Sequence, residues 1–123
     1  MEKIYTENAP AAIGPYSQAV KLNGMVYTSG QIAIVPASGN IESSDIQGQT
    51  TQVMENLKAV LAASGSSLDN VIKTTCFLAD ITDFGVFNEI YSKYITGKPV
   101  RSCVAVKDLP KGALVEVEVI AVV

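Results

Sequence analysis

The 123-residue chain has no histidine and only two cysteines, Cys76 and Cys103. Any chemistry therefore falls to arginine, carboxylates, hydroxyls, backbone groups and water. The cysteines lack Cys-x-x-Cys spacing, which with the missing histidines argues against a zinc site or a histidine-based triad. Neither Gly-x-Gly-x-x-Gly nor a P-loop pattern is present to cradle a nucleotide phosphate. We expect no metal and no cofactor.

The residues best suited to a reaction lie between Pro99 and Glu118. Pro99-Val100-Arg101-Ser102-Cys103-Val104-Ala105-Val106 alternates in period two, as does Leu114-Val115-Glu116-Val117-Glu118, which marks two strands. In the first, Arg101, Cys103 and Ala105 share a face. In the second, Val115, Val117, Val119 and Ala121 form an unbroken apolar face, while Glu116 and Glu118 share the other with Ile120 and Val122. A solvent-facing side would stay polar. Its turn to Ile and Val implies a partly covered polar site holding Arg101 and the carboxylates. The bland alternative is a set of solvated charges, since exposed ion pairs contribute only about 0–1 kcal/mol. Asn88 also has two readings. It falls on or beside the apolar stripe of its helix, where an amide needs a partner. It either ties down a loop or points into the same site as Arg101.

The elements that must position these groups follow from the rest of the chain. Ile4-Tyr5-Thr6 reads as a short edge strand, and residues 9–16, with two prolines and a glycine, as an ordered loop. Strands at Gln18–Leu22 and Met25–Ser29 are joined by Asn23-Gly24, the strongest hairpin signal present. Within this region Tyr16 reads as a half-buried loop aromatic and Ser29-Gly30 as a strand end. Val35–Asn40 is a turn-rich connection. A helix follows, with Ser44 as its cap, Asp45 in its first turn and Gly65 as its stop. Ile46, Thr50, Val53, Leu57, Val60 and Leu61 form its buried stripe, with Gln52, Glu55, Asn56 and Lys58 away from it. Val71–Ala79 is a strand, in which Cys76 is a small buried hydrophobe. A second helix runs from about Thr82 to Tyr94 or Ile95, with Phe84, Phe87, Tyr91 and Tyr94 as its stripe. The resulting order is α+β, with two helices covering one face of a sheet. Lys107–Ala113 is too long for a tight hairpin, so the last two strands need not be neighbours. Apolar residues on the other face imply self-association.

Length and composition agree with one domain spanning residues 1–123 and a proper core, given 48% hydrophobic residues. The net charge of −3 and the lack of any Lys/Arg run disfavour nucleic acid as a partner. No apolar stretch is long enough to span a bilayer and no signal-peptide pattern follows Met1, so the expected location is the cytoplasm, without membrane association.

Several separated motifs resemble the reactive intermediate deaminase (Rid, or YjgF) family. They are Thr6-Glu7-Asn8-Ala9-Pro10, Ile13-Gly14-Pro15-Tyr16-Ser17-Gln18-Ala19, Thr28-Ser29-Gly30-Gln31, Arg101-Ser102-Cys103-Val104, Leu109-Pro110 and Val115-Glu116-Val117-Glu118-Val119-Ile120-Ala121. The resemblance covers essentially the whole chain in order. It implies a chorismate-mutase-like α+β fold with a mixed six-stranded sheet, the last strand inside it and two helices on one face. It also implies a homotrimer with a central barrel and clefts between subunits. Family members with the arginine hydrolyse 2-imino acids and their enamine tautomers, such as 2-iminobutanoate and 2-iminopropanoate, to 2-keto acids and ammonia.

Carried over by the resemblance, Arg101 clamps the substrate carboxylate through a bidentate fork that lysine cannot copy. Glu116 activates water as general base, and the Cys103 backbone carbonyl contacts the imine nitrogen. Tyr16, Ser29, Gly30 and Asn88 line the cleft. Glu118, one strand repeat further on, is the less suitable base. The chain departs from the family in having only Thr96-Gly97-Lys98 before Pro99, which bears on substrate range. A trimer that holds keto acids without turnover is the alternative reading, although binding alone has no need of Glu116.

Overall fold

The structure is a computed structural model describing residues 1–123. Its main sheet contains six strands: β1 (Glu2–Ile4), β2 (Ala19–Leu22), β3 (Met25–Thr28), β6 (Val71–Leu78), β7 (Val100–Ala105) and β8 (Val115–Val122). Their order is β1-β2-β3-β8-β6-β7. Only β6 and β7 run parallel, so the sheet is mixed. As expected, the last strand is internal, and β6 separates it from β7. A second sheet is a hairpin of β4 (Ile34–Val35) and β5 (Asn40–Ile41), closed by the Val35–Asn40 segment that reads from sequence as a turn-rich connection. Helices α1 (Ile46–Ala63) and α2 (Phe84–Tyr94) pack together on one face of the main sheet.

Local signals explain most boundaries. Asn23 and Gly24 both take positive φ (52° and 76°), which the two-residue β2–β3 turn demands. Gly65, at φ +79°, ends α1 in a Schellman motif: Ser66 N donates to Leu61 O at 2.8 Å and Gly65 N to Ala62 O at 3.1 Å. The start of α1 differs from expectation. Asp45, not Ser44, is the cap, its Oδ1 accepting from Gly48 N at 2.7 Å. The reason is spacing, because the carboxylate of Asp45 reaches the third amide of the helix from extended backbone. The first strand is also displaced, ending at Ile4, because Thr6 N is taken by Gln18 Oε1 at 2.7 Å. Likewise α2 begins at Phe84, after a 3₁₀ turn over Ile81–Asp83.

The core lies between helices and sheet. Val53, Leu57, Val60 and Leu61 of α1 and Phe87 of α2 meet Val115, Val117, Val119 and Ala121 of β8, with Cys76 and Leu78 of β6. Asn56 corrects a second expectation: it is buried, at 1% exposure, rather than on the polar side of α1. Its Nδ2 donates to Ile32 O (3.2 Å) and Ile34 O (2.9 Å), and its Oδ1 accepts from Gln52. The amide gives a donor to the Ile34 carbonyl and a second one to the Ile32 carbonyl, which also accepts from Ile34 N, and a Leu would remove both bonds at about 0.5–1.5 kcal/mol each. The opposite sheet face carries no helix. Tyr27, Val100, Val104 and Val122 on it are all more than 40% exposed.

Candidate active site

The pairing register settles which strand residues share a face. Arg101 sits opposite Thr74, and Cys103 opposite Cys76, across the β6–β7 pair. Glu116 sits opposite Phe77, which is itself opposite Val104. Since faces alternate along each strand, Arg101 and Cys103 lie with Thr74 on the helix face, and Glu116 lies with Phe77 on the open face. The sequence-derived site residues thus form two groups, separated by the thickness of the sheet.

The first group gathers under α2 at the β7 edge. Arg101 Nη1 donates to Asn88 Oδ1 at 2.8 Å, which decides between the two readings of Asn88. Three aromatic rings surround the guanidinium, with Tyr91 at 4.9 Å, Phe84 at 5.5 Å and Phe87 at 6.0 Å from its central carbon. Sequence reasoning assigned those rings to a core stripe. In fact Phe87 is buried while Phe84 stays 37% exposed beside the cation. Tyr91 is fixed by a 2.8 Å hydrogen bond to Thr74 Oγ1. The sole ion pair in the protein joins Lys21 and Glu2 at 4.0 Å, so no carboxylate neutralises Arg101. A half-buried guanidinium held by one amide and three ring faces keeps its remaining N–H donors for an anion.

Cys103 is half-buried beside it. Burial pushes its thiol up, against a smaller lowering by the Arg101 charge, and burial takes Cys76 to about 12. Both are protonated thiols at neutral pH and poor nucleophiles. Because β7 is an edge strand, part of its backbone has no partner within the chain.

The second group surrounds Glu116. A small cavity of about 60 Å³ is lined by Glu116, Gly30, Gln31, Tyr16, Ile13 and Pro110, among others. A Cβ on Gly30 would fall 2.5 Å from Glu116 Oε2, so only glycine allows the carboxylate to lie there. Burial raises the pKa of Glu116, and the charge of Glu118 raises it further. Tyr16 is 48% exposed, its hydroxyl accepting from Ile13 N at 3.2 Å. Ser29 lies next to Gly30, but its hydroxyl donates to Ser17 O at 2.6 Å and so braces the loop. Gln18, which the sequence placed at the start of a strand, instead precedes it and is the main brace: its amide donates to Thr6 O, Ala9 O and Pro10 O.

Sheet order, helix placement and these motifs define one family. A family model described as Endoribonuclease L-PSP matches residues 6–123. A RutC family protein of Pyrococcus horikoshii is 51% identical over 98% of this chain and 96% of its own length. A mouse protein named 2-iminobutanoate/2-iminopropanoate deaminase is 47% identical over 97% of this chain and 89% of its own. A Rid-family protein of Yersinia pestis superimposes with a TM-score of 0.96 at 51% identity, covering 99% of this chain and 98% of that one. The chain belongs to this Rid (L-PSP) family.

Proposed function

We propose that the protein is a cofactor-independent deaminase that hydrolyses 2-imino acids and their enamine tautomers, including 2-iminobutanoate and 2-iminopropanoate, to 2-keto acids and ammonia. The observation that carries this reading is the unneutralised Arg101, held by Asn88 and three rings with its fork free for a carboxylate. The name of the mouse relative supports the same substrate class. The family description names an endoribonuclease, but a net charge of −3 without clustered Lys/Arg offers little to neutralise RNA phosphates.

In this mechanism Arg101 binds the substrate carboxylate and a Cys103 backbone group orients the imine nitrogen. Glu116 removes a proton from water as its oxygen attacks the imine carbon. That proton passes to the imine nitrogen to give the aminol; Glu116 then carries the aminol hydroxyl proton to the amino nitrogen, the C–N bond breaks as the C=O forms, and ammonia and the keto acid leave. The raised pKa suits Glu116 to both accepting and returning that proton. A module that only held keto acids would have no use for a desolvated carboxylate, which favours turnover.

Since the two groups lie on opposite sheet faces, one protomer does not complete the cleft. The reading therefore requires Arg101, Asn88 and Cys103 of one subunit to meet Glu116, Gly30 and Tyr16 of another. A homotrimer with the uncovered faces turned inward does this and buries Tyr27, Val100, Val104 and Val122. No helix of the protein is long and apolar enough to cross a membrane. The function is tested by adding the protein to freshly generated 2-iminobutanoate. Release of 2-oxobutanoate and ammonia should exceed the spontaneous rate many-fold, and a rate equal to the spontaneous one overturns the reading.

A further inference from the structure

Arg101 is not the only cation in its surroundings. It lines an open groove of about 390 Å³ with Lys98, Pro99, Ile95, Thr96, Ser92 and Tyr91. Two of these residues are cations and none is an acid. Lys98 is exposed, forms no ion pair and has φ +51°, the left-handed region. That conformation costs a lysine about 1–2 kcal/mol, and the following Pro99 biases the residue before it toward extended backbone instead. The short Thr96-Gly97-Lys98 connection, reaching directly from the end of α2 into β7, imposes it. The strained backbone thus places an unpaired ammonium on the wall of the groove that Arg101 also lines.

We infer that this groove selects acidic substrates, with Arg101 taking the 1-carboxylate and Lys98 the distal carboxylate of a dicarboxylic 2-imino acid of four or five carbons. The inference rests on Arg101 being the carboxylate clamp of the proposed function. Three residue steps, about 10 Å at strand rise, separate the two Cα atoms, and the flexible lysine stem closes that gap to the length of a small dicarboxylate. Ile95, Pro99 and the Tyr91 ring face the aliphatic middle of such a ligand, and Ser92 and Thr96 add hydroxyl donors. The reaction that supplies the substrate would be oxidation of an acidic 2-amino acid at its α-carbon, which yields the matching imine.

The stable keto-acid products separate this inference from the question of turnover. Titration calorimetry on the full-length protein compares 2-oxoglutarate with 2-oxobutanoate at low ionic strength. We expect 2-oxoglutarate to bind about three- to fivefold tighter, the measure of one exposed ion pair. Lys98→Gln should erase that difference and Lys98→Arg should keep it. The exposed site makes misfolding of either variant an inadequate explanation, and unchanged binding of 2-oxobutanoate by both verifies this. Equal affinities in the wild type, or a preference that survives Lys98→Gln, overturns the inference while leaving imine hydrolysis intact. Failure of Arg101→Lys to weaken either ligand would instead overturn the clamp itself.

Discussion

The two faces of the sheet treat their charged residues in opposite ways. On the helix face Arg101 is surrounded by neutral partners fixed before any ligand arrives: the Asn88 amide, the Tyr91 ring tied to Thr74, and Phe84 and Phe87. On the open face Glu116 has no cation, lies against the bare Cα of Gly30 and is repelled by Glu118. One side is a rigid socket for an anion. The other keeps a carboxylate where burial and a neighbouring carboxylate disfavour its charge. Under the proposed function this contrast is a division of labour, with binding on the helix-backed side and proton transfer on the uncovered side.

The largest effect should come from the uncovered side. Glu116→Gln keeps the shape but removes the base, and kcat should fall about 10²–10⁴-fold, measured with freshly generated imine against the spontaneous background. Arg101→Lys retains charge but not the fork. We expect kcat/KM to drop about 10–100-fold, the worth of a lost charged hydrogen bond, and near wild-type values would refute the clamp. Phe84→Leu, at a partly exposed ring, should weaken substrate binding about two- to fivefold without changing the kcat pH profile. Cys103→Ala, which leaves the backbone in place, should retain most activity. Loss of activity there with Glu116→Gln still active would reverse the roles assigned to thiol and carboxylate.

The contrast also has a stability signature. Glu116 has a folded pKa above its unfolded value, so the native state holds more protons in the window above the ordinary carboxylate range. Stability from this group is therefore lost as pH rises through that window. Glu116→Gln should melt higher than the wild type at neutral pH, and thermal scans at falling pH should show the gap closing. A gap that widens toward acid would contradict the desolvated placement.

Much of this was legible in the sequence, and the rest was hidden for identifiable reasons. Alternation placed Arg101 and Cys103 on one side of their strand and Glu116 on one side of its own. What alternation could not supply was the relation between the strands, which passes through β6 by way of Thr74 and Phe77. Asn88 stayed ambiguous because its partner, Arg101, lies on a strand thirteen residues away. The rings of α2 read as core because an aromatic stripe looks alike whether it packs on Leu or on a guanidinium. Asn56 was misplaced because polarity alone does not reveal that the carbonyls of Ile32 and Ile34 lie within reach of its amide. The hairpin, the Gly65 stop and the uncovered apolar face needed no tertiary information, being set by local turn chemistry and period-two patterning.

The central claim is that each cleft takes its arginine half and its glutamate half from different chains. Complementation tests it most directly. Arg101→Ala and Glu116→Gln proteins, each inactive alone, are unfolded together in equal amounts, refolded, and purified as mixed oligomers through two different tags. In a mixed trimer of either composition, one interface of about three joins an intact arginine half to an intact glutamate half. We predict recovery of about a third of wild-type activity. Mixed oligomers that stay as inactive as their parents would show that both residues must come from the same chain, and would contradict the account.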